Sequence, residues 1–116
     1  MPARPVPLYE AKADLFKSLA HPVRIRVLEL LSEREYAVRD LRARIDVEQT
    51  GLSQHLAVLR RTGLVRQHRA GGQVTYTLVG TEAADLLISA RRLLRELAVE
   101  RRARVEHLDN HHQGAS

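Results

Sequence analysis

Residues 48–78, EQTGLSQHLAVLRRTGLVRQHRAGGQVTYTL, decide the fold of this chain. Leu52, Leu56 and Leu59 recur at helical spacing and place an amphipathic helix over Gln49–Thr62. Gly63 stands where a left-handed C-terminal cap is expected. Two β-rich runs follow, Leu64–Arg69 and Val74–Val79, joined by Ala70-Gly71-Gly72, the signature of a hairpin.

The same stretch holds nearly all of the net charge. Between Gln49 and Thr81 lie Arg60, Arg61, Arg66 and Arg69, two histidines and no carboxylate, a local +4 out of the chain's +5. Positive charge confined to one helix and one hairpin suits a phosphate backbone, whose counterions it would release. Opposite the leucines, the helix carries Gln49, Thr50, Ser53, Gln54 and Ala57, small or hydrogen-bonding groups near its N-terminal end. A helix entering a major groove by that end needs such side chains to reach base edges. Gly51 permits close approach at the expense of helix propensity. Taken alone, a polar helix face is a solvated surface; its conjunction with a basic Arg-Gly-Gly hairpin points to DNA. His55 sits at the edge of the leucine face and is assigned a helix-packing or phosphate-side hydrogen bond. The candidate DNA-contacting residues are therefore Gln49, Thr50, Ser53, Gln54, His55, Arg60, Arg61, Arg66, Arg69 and Gln73.

Working outward, Asp46-Val47-Glu48 forms a turn after a short helix over Val38–Ile45, marked by Leu41 and Ile45 one turn apart. Tyr36-Ala37-Val38 is a brief extended segment. A helix from Pro22 points Val23, Val27, Leu30 and Leu31 inward and Arg24, Arg26 and Glu29 outward. His21-Pro22 separates it from a first helix beginning at Leu8, because the residue before proline avoids the α region; His21 there is a junction-packing or capping residue. After the hairpin, Thr81 is an N-cap with Glu82 and Asp85 in the first turn. The long helix it opens reaches about Leu108. Residues 1–7 form a proline-rich arm and residues 109–116 a polar, frayed tail. The fold class is mainly α with a small β-hairpin wing, a winged helix-turn-helix of order ααααββα in one domain over residues 8–108.

The rest of the composition narrows the function. With 116 residues and only 3% aromatics, the core is aliphatic and modest, and dimerisation would extend it. The absence of cysteine removes disulfides, thiolate metal ligands and thiol redox chemistry. No apolar run is long enough to span a membrane, and MPARPVPLYE lacks the apolar core of a secretory signal. A cytoplasmic protein is expected. Ser53 and His55 are two residues apart on one helix, which points them in different directions rather than into a nucleophile–base pair. No P-loop, dinucleotide-binding glycine pattern or convergent carboxylate pair occurs, so no enzyme is expected.

The quoted stretch, together with LAHPVRIRVLELL at 19–31, resembles the ArsR/SmtB family of winged-helix repressors, over almost the whole chain. The resemblance implies a homodimer with the first and last helices at the interface, the fourth helix reading an operator, and release by an inducer. Thr50, Ser53 and Gln54 match the family's DNA-facing positions, and Arg69 and Gln73 its wing. The last helix supports a dimer on its own residues: Leu86, Ala90, Leu93, Leu97 and Leu108 form a stripe that Leu87, Leu94, Ala98 and Val105 widen beyond what four short helices could cover. Leu86, Ala90, Leu93 and Leu97, with Leu8 and Leu15, are the candidate interface residues. Two fourth helices would then meet successive major grooves about 34 Å apart on a pseudo-palindrome.

Many relatives implied by this resemblance sense metals, and here the sequence departs from their pattern. Asp85 is followed by Leu86 and Leu87, so the family's early Asp-x-His pair lacks its histidine. The later region, EHLDNHHQ, keeps His107, His111 and His112 as candidate zinc or nickel ligands beside the alternative of a solvated tail. No cofactor is expected. The competing functions are a metal-responsive repressor using those histidines and a non-specific architectural DNA-binding protein.

Overall fold

Leu52, Leu56 and Leu59, all at most 1% exposed, meet Val27, Leu28, Leu30 and Leu31 in an aliphatic core. The computed structural model describes residues 5–114, with side chains through residue 106. Its elements are α1 (Leu8–Leu19), α2 (Pro22–Glu33), β1 (Tyr36–Ala37), α3 (Val38–Arg44), α4 (Gln49–Arg61), β2 (Val65–Ala70), β3 (Gln73–Leu78) and α5 (Glu82–Gly114). The chain divides into two compact units, one ending at Ala84 and one beginning at Asp85.

In the first unit α2 packs on α4 and on β3, so the helix-turn-helix is clamped against the sheet. The order of helices and hairpin agrees with the sequence reading, and the differences have local causes. Tyr36-Ala37 is a third strand and not merely extended: β1 pairs antiparallel with β3, Tyr36 opposite Tyr76, giving the sheet order β1-β3-β2. Both tyrosines are buried, and a facing aromatic pair stabilises adjacent strands. Ala70 belongs to β2 and pairs with Gln73, leaving Gly71-Gly72 as a two-residue turn. Both glycines have positive φ, 58° and 80°, which such a tight hairpin turn demands and side chains with a Cβ resist.

The C-terminal end of α4 shows why the helix stops. Gly63, at φ 81°, donates its N–H to the Arg60 carbonyl, and Leu64 N–H reaches back to the Leu59 carbonyl. This pair of bonds is a Schellman cap. The Thr62 hydroxyl donates to the Leu59 carbonyl as well. At the start of α2, His21 caps the helix: its Nδ1 accepts from the Val23 N–H at 3.1 Å.

The second unit is α5 from Asp85 onward. This helix does not end near Leu108 but continues to Gly114, 33 residues in all. Nothing in residues 109–113 forces a stop, because the first glycine after Leu108 is Gly114 and no proline intervenes. No helix among the described residues is long and apolar enough to cross a membrane.

Candidate nucleic-acid interface

Helix α4 projects its N-terminal polar face outward because its leucines are spent on the core. Gln49, Thr50, Ser53 and Gln54 are exposed, as are Arg60, Arg61, Arg66, Arg69 and Gln73. Leu41 and Ile45 are buried and fix α3 behind the turn that presents α4. Gly51 lies close against that turn. A Cβ there would stand 3.3 Å from Val47 Cγ2, tighter than ordinary contact, so the missing side chain lets α4 start close against the turn.

The wing carries its charge beside α4. Arg60, Arg66, Gln67, His68 and Arg69 line a shallow, open depression at the junction of helix and hairpin. Within it Gln67, which the sequence reading did not single out, joins three elements: its Oε1 accepts from Arg60 Nη1 and, at 3.2 Å, from the Tyr76 hydroxyl. Arg60 thereby holds the base of the wing to the helix. His68 Nε2 lies 3.5 Å from Glu35 Oε2, tying β2 to the loop before β1. Arg61, Arg66 and Arg69 make no side-chain hydrogen bond or ion pair among the described residues and present their charge to solvent.

His55 is half-buried and turned toward α2. Its Nδ1 accepts from Arg24 Nε at 3.0 Å, and its ring stacks against His21 with centroids 4.0 Å apart. Burial holds its pKa below the ordinary 6.5, and the nearby His21 and Arg24 lower it further. The sequence reading pointed Arg24 outward. It is instead partly buried: besides reaching His55, it donates through Nη1 to the Ser18 carbonyl at 3.0 Å. A long flexible side chain reaches partners 31 residues away that helical periodicity does not register. His55 is committed to these contacts and forms no acid–base pair with Ser53.

Exposed apolar side chains mark two further surfaces. Leu8, Tyr9 and Phe16 stand out from α1, while Leu15 is half-covered. Along α5, Ile88, Leu93, Leu94, Leu97, Val99 and Val105 are exposed, Ala90 also, and Leu86 is half-covered. Among the described residues no three potential metal-ligating side chains come together. The side chains of His107, His111 and His112 lie outside the described residues.

Known proteins share this fold. Residues 21–67 match the model of the bacterial regulatory protein, arsR family. The HTH-type transcriptional regulator Rv0081 of Mycobacterium tuberculosis is 45% identical over 88% of this chain and 90% of its own length. Its crystal structure superposes with a TM-score of 0.76 at 44% identity, covering 84% of this chain and 98% of that one. The transcriptional repressor BigR from Xylella fastidiosa gives a TM-score of 0.68 at 36% identity over 73% of this chain and 87% of that one. A homodimeric winged helix-turn-helix DNA-binding domain from Mycobacterium bovis gives 0.70 at 28% identity, over 78% and 84%.

Proposed function

The chain belongs to the ArsR family of bacterial regulatory proteins and is a DNA-binding transcriptional regulator, and from that premise we propose that it works as a homodimeric repressor. In this reading the exposed N-terminal face of α4 reads bases, the wing holds phosphate, and a pseudo-palindromic operator matches the two-fold axis of the dimer. The observation that carries it is Gln49, Thr50, Ser53 and Gln54 exposed together on a helix whose opposite face is fully buried. Glutamine can pair bidentately with adenine, and hydroxyls serve bases or phosphates. Arg61, Arg66 and Arg69 flank that face with free charge, which suits backbone contact.

The dimer reading is supported by apolar side chains left exposed on α1 and on α5. Side chains such as Phe16 (54% exposed) and Leu94 (67% exposed) would gain from burial against a second copy. The protein works in the cytoplasm, and its inducer is not a thiol-ligated metal, since the chain has no cysteine.

The test is a pair of affinities measured on Gln54→Ala. Against a duplex selected from a random-sequence pool by the wild-type protein, the loss should be about 1–3 kcal/mol. Against a scrambled duplex of equal length, affinity should be unchanged. Equal loss on both would leave a non-specific architectural binder as the better description. A reporter carrying the selected duplex at its promoter gives the direction: expression should rise when the regulator is removed, and a fall would mean activation.

A further inference from the structure

Arg24 is the only residue among those described whose side chain hydrogen-bonds both the end of α1 and the middle of α4. One prong of its guanidinium, Nη1, meets the Ser18 carbonyl at 3.0 Å. Another, Nε, meets His55 Nδ1 at 3.0 Å. A guanidinium only donates, so His55 must offer a lone pair at Nδ1 and carry its proton on Nε2. The neighbouring imidazole is held in the same form. His21 Nδ1 accepts from the Val23 N–H as the N-cap of α2, while its ring lies 4.0 Å from the His55 ring at a tilt of 39°. The groups facing His55 are therefore His21, from the α1–α2 junction, and Arg24, from α2. Among the described residues no carboxylate is ion-paired with any of the three.

We propose that Arg24 and His55 are positioning residues for DNA reading, and that a proton on His55 releases this flank of α4, so sequence preference weakens in mild acid. The inference rests on α4 being the reader.

Protonation does two things at this joint. It turns Nδ1 into a donor facing the Arg24 donor, which removes the bond. It also sets a second positive charge beside Arg24 in a partly buried cluster with no paired acid. Burial first, and the neighbouring His21 and Arg24 after it, lower the pKa of His55. Helix α4 does not melt, because Leu52, Leu56 and Leu59 remain in the core. It is free to shift on its half-buried side, and Ser53 and Gln54 are the residues just before His55. A hydrogen bond to a base edge tolerates only a few tenths of an ångström, so a small rotation is enough. Total affinity behaves differently, since acid adds positive charge to histidines and strengthens phosphate attraction on any sequence. The ratio of affinities for selected and scrambled duplex isolates the effect.

The experiment uses the full-length protein, fluorescence anisotropy, and the selected and scrambled duplexes at about pH 7.5 and about pH 5.5. The wild-type ratio should fall by about fivefold or more in acid, the size of one weakened base contact. His55→Ala should have a reduced ratio at both pH values. His55→Gln should recover part of it and lose the pH dependence, because the Gln carbonyl accepts from Arg24 Nε and never takes a charge. Arg24→Lys should lower the ratio at both pH values, since an ammonium cannot span Ser18 and His55 as the fork does. A pH-dependent fall in His55→Gln equal to the wild type, or a wild-type ratio that is flat, overturns the inference. Absence of any preference at either pH overturns the reading of α4 itself.

Should His55→Gln not fold, calorimetry on the wild-type protein in buffers of different ionisation heat decides the matter. Near pH 6 binding of the selected duplex should take up fewer protons, or release more, than binding of the scrambled one. Equal proton exchange on the two duplexes, or greater uptake on the selected one, overturns the inference.

Discussion

Replacing Arg69 by alanine removes a charge that the protein itself does not use. Arg69 lies on β2 opposite Val74, one pair from the Gly71-Gly72 turn, and is exposed. It makes no side-chain hydrogen bond or ion pair among the described residues, unlike Arg60, whose guanidinium is held by Gln67. Its loss should leave the fold intact and delete one phosphate contact per protomer. Each contact contributes about 0.9 to the slope of log affinity against log salt, so a dimer should lose about 1.8. Over a fourfold rise in salt, from about 50 to about 200 mM, the wild type should then lose roughly twelvefold more affinity than the variant. Anisotropy titrations at several potassium chloride concentrations measure this on selected and scrambled duplexes. The change should be the same on both, because a phosphate contact carries no sequence information. An unchanged slope would remove Arg69 from the backbone contact. A loss confined to the selected duplex would make it a base reader, contrary to the division of labour between wing and helix.

Three further outcomes follow from the same geometry. Leu56→Ala, at a position 1% exposed, should cost about 2–5 kcal/mol in urea denaturation, because the helix-turn-helix core relaxes only partly around the cavity. The folded pKa of His55 lies below 6.5, so the unfolded chain binds more protons in the window beneath that value. Its contribution to stability is present above pH 6.5 and is lost as pH falls; thermal melts should show a smaller acid-induced drop for His55→Gln than for the wild type. Finally, a chelator should leave operator affinity unchanged, and zinc or nickel titrations should give the same weak heats for the wild type and for a variant carrying His107→Ala, His111→Ala and His112→Ala.

Helix α4 and the hairpin are legible in the sequence because their signals are local. Leu52, Leu56 and Leu59 mark the buried face, Gly63 the stop, and Gly71-Gly72 the turn, each within a few residues of what it controls. The exposed polar face of α4 follows by subtraction, since what the leucines do not bury faces outward. Contacts between distant parts of the chain were not legible. Tyr36 gave no sign that it would pair with Tyr76, because a two-residue strand is too short for a period. Arg24 appeared solvent-facing on helical spacing, yet its length carries the guanidinium across to His55. Gln67 stands on a strand whose arginines carry the local signal, and nothing in the sequence marks its carbonyl as the acceptor that joins Arg60 to Tyr76.

Selection of duplexes from a random-sequence pool by the full-length wild-type protein tests the central claim most directly. If two α4 helices read DNA from a symmetric dimer, the enriched sequences should form an inverted repeat whose half-site centres lie about one helical turn apart, or a multiple of it. Recovery of no common sequence, or of a single asymmetric site, would contradict that account.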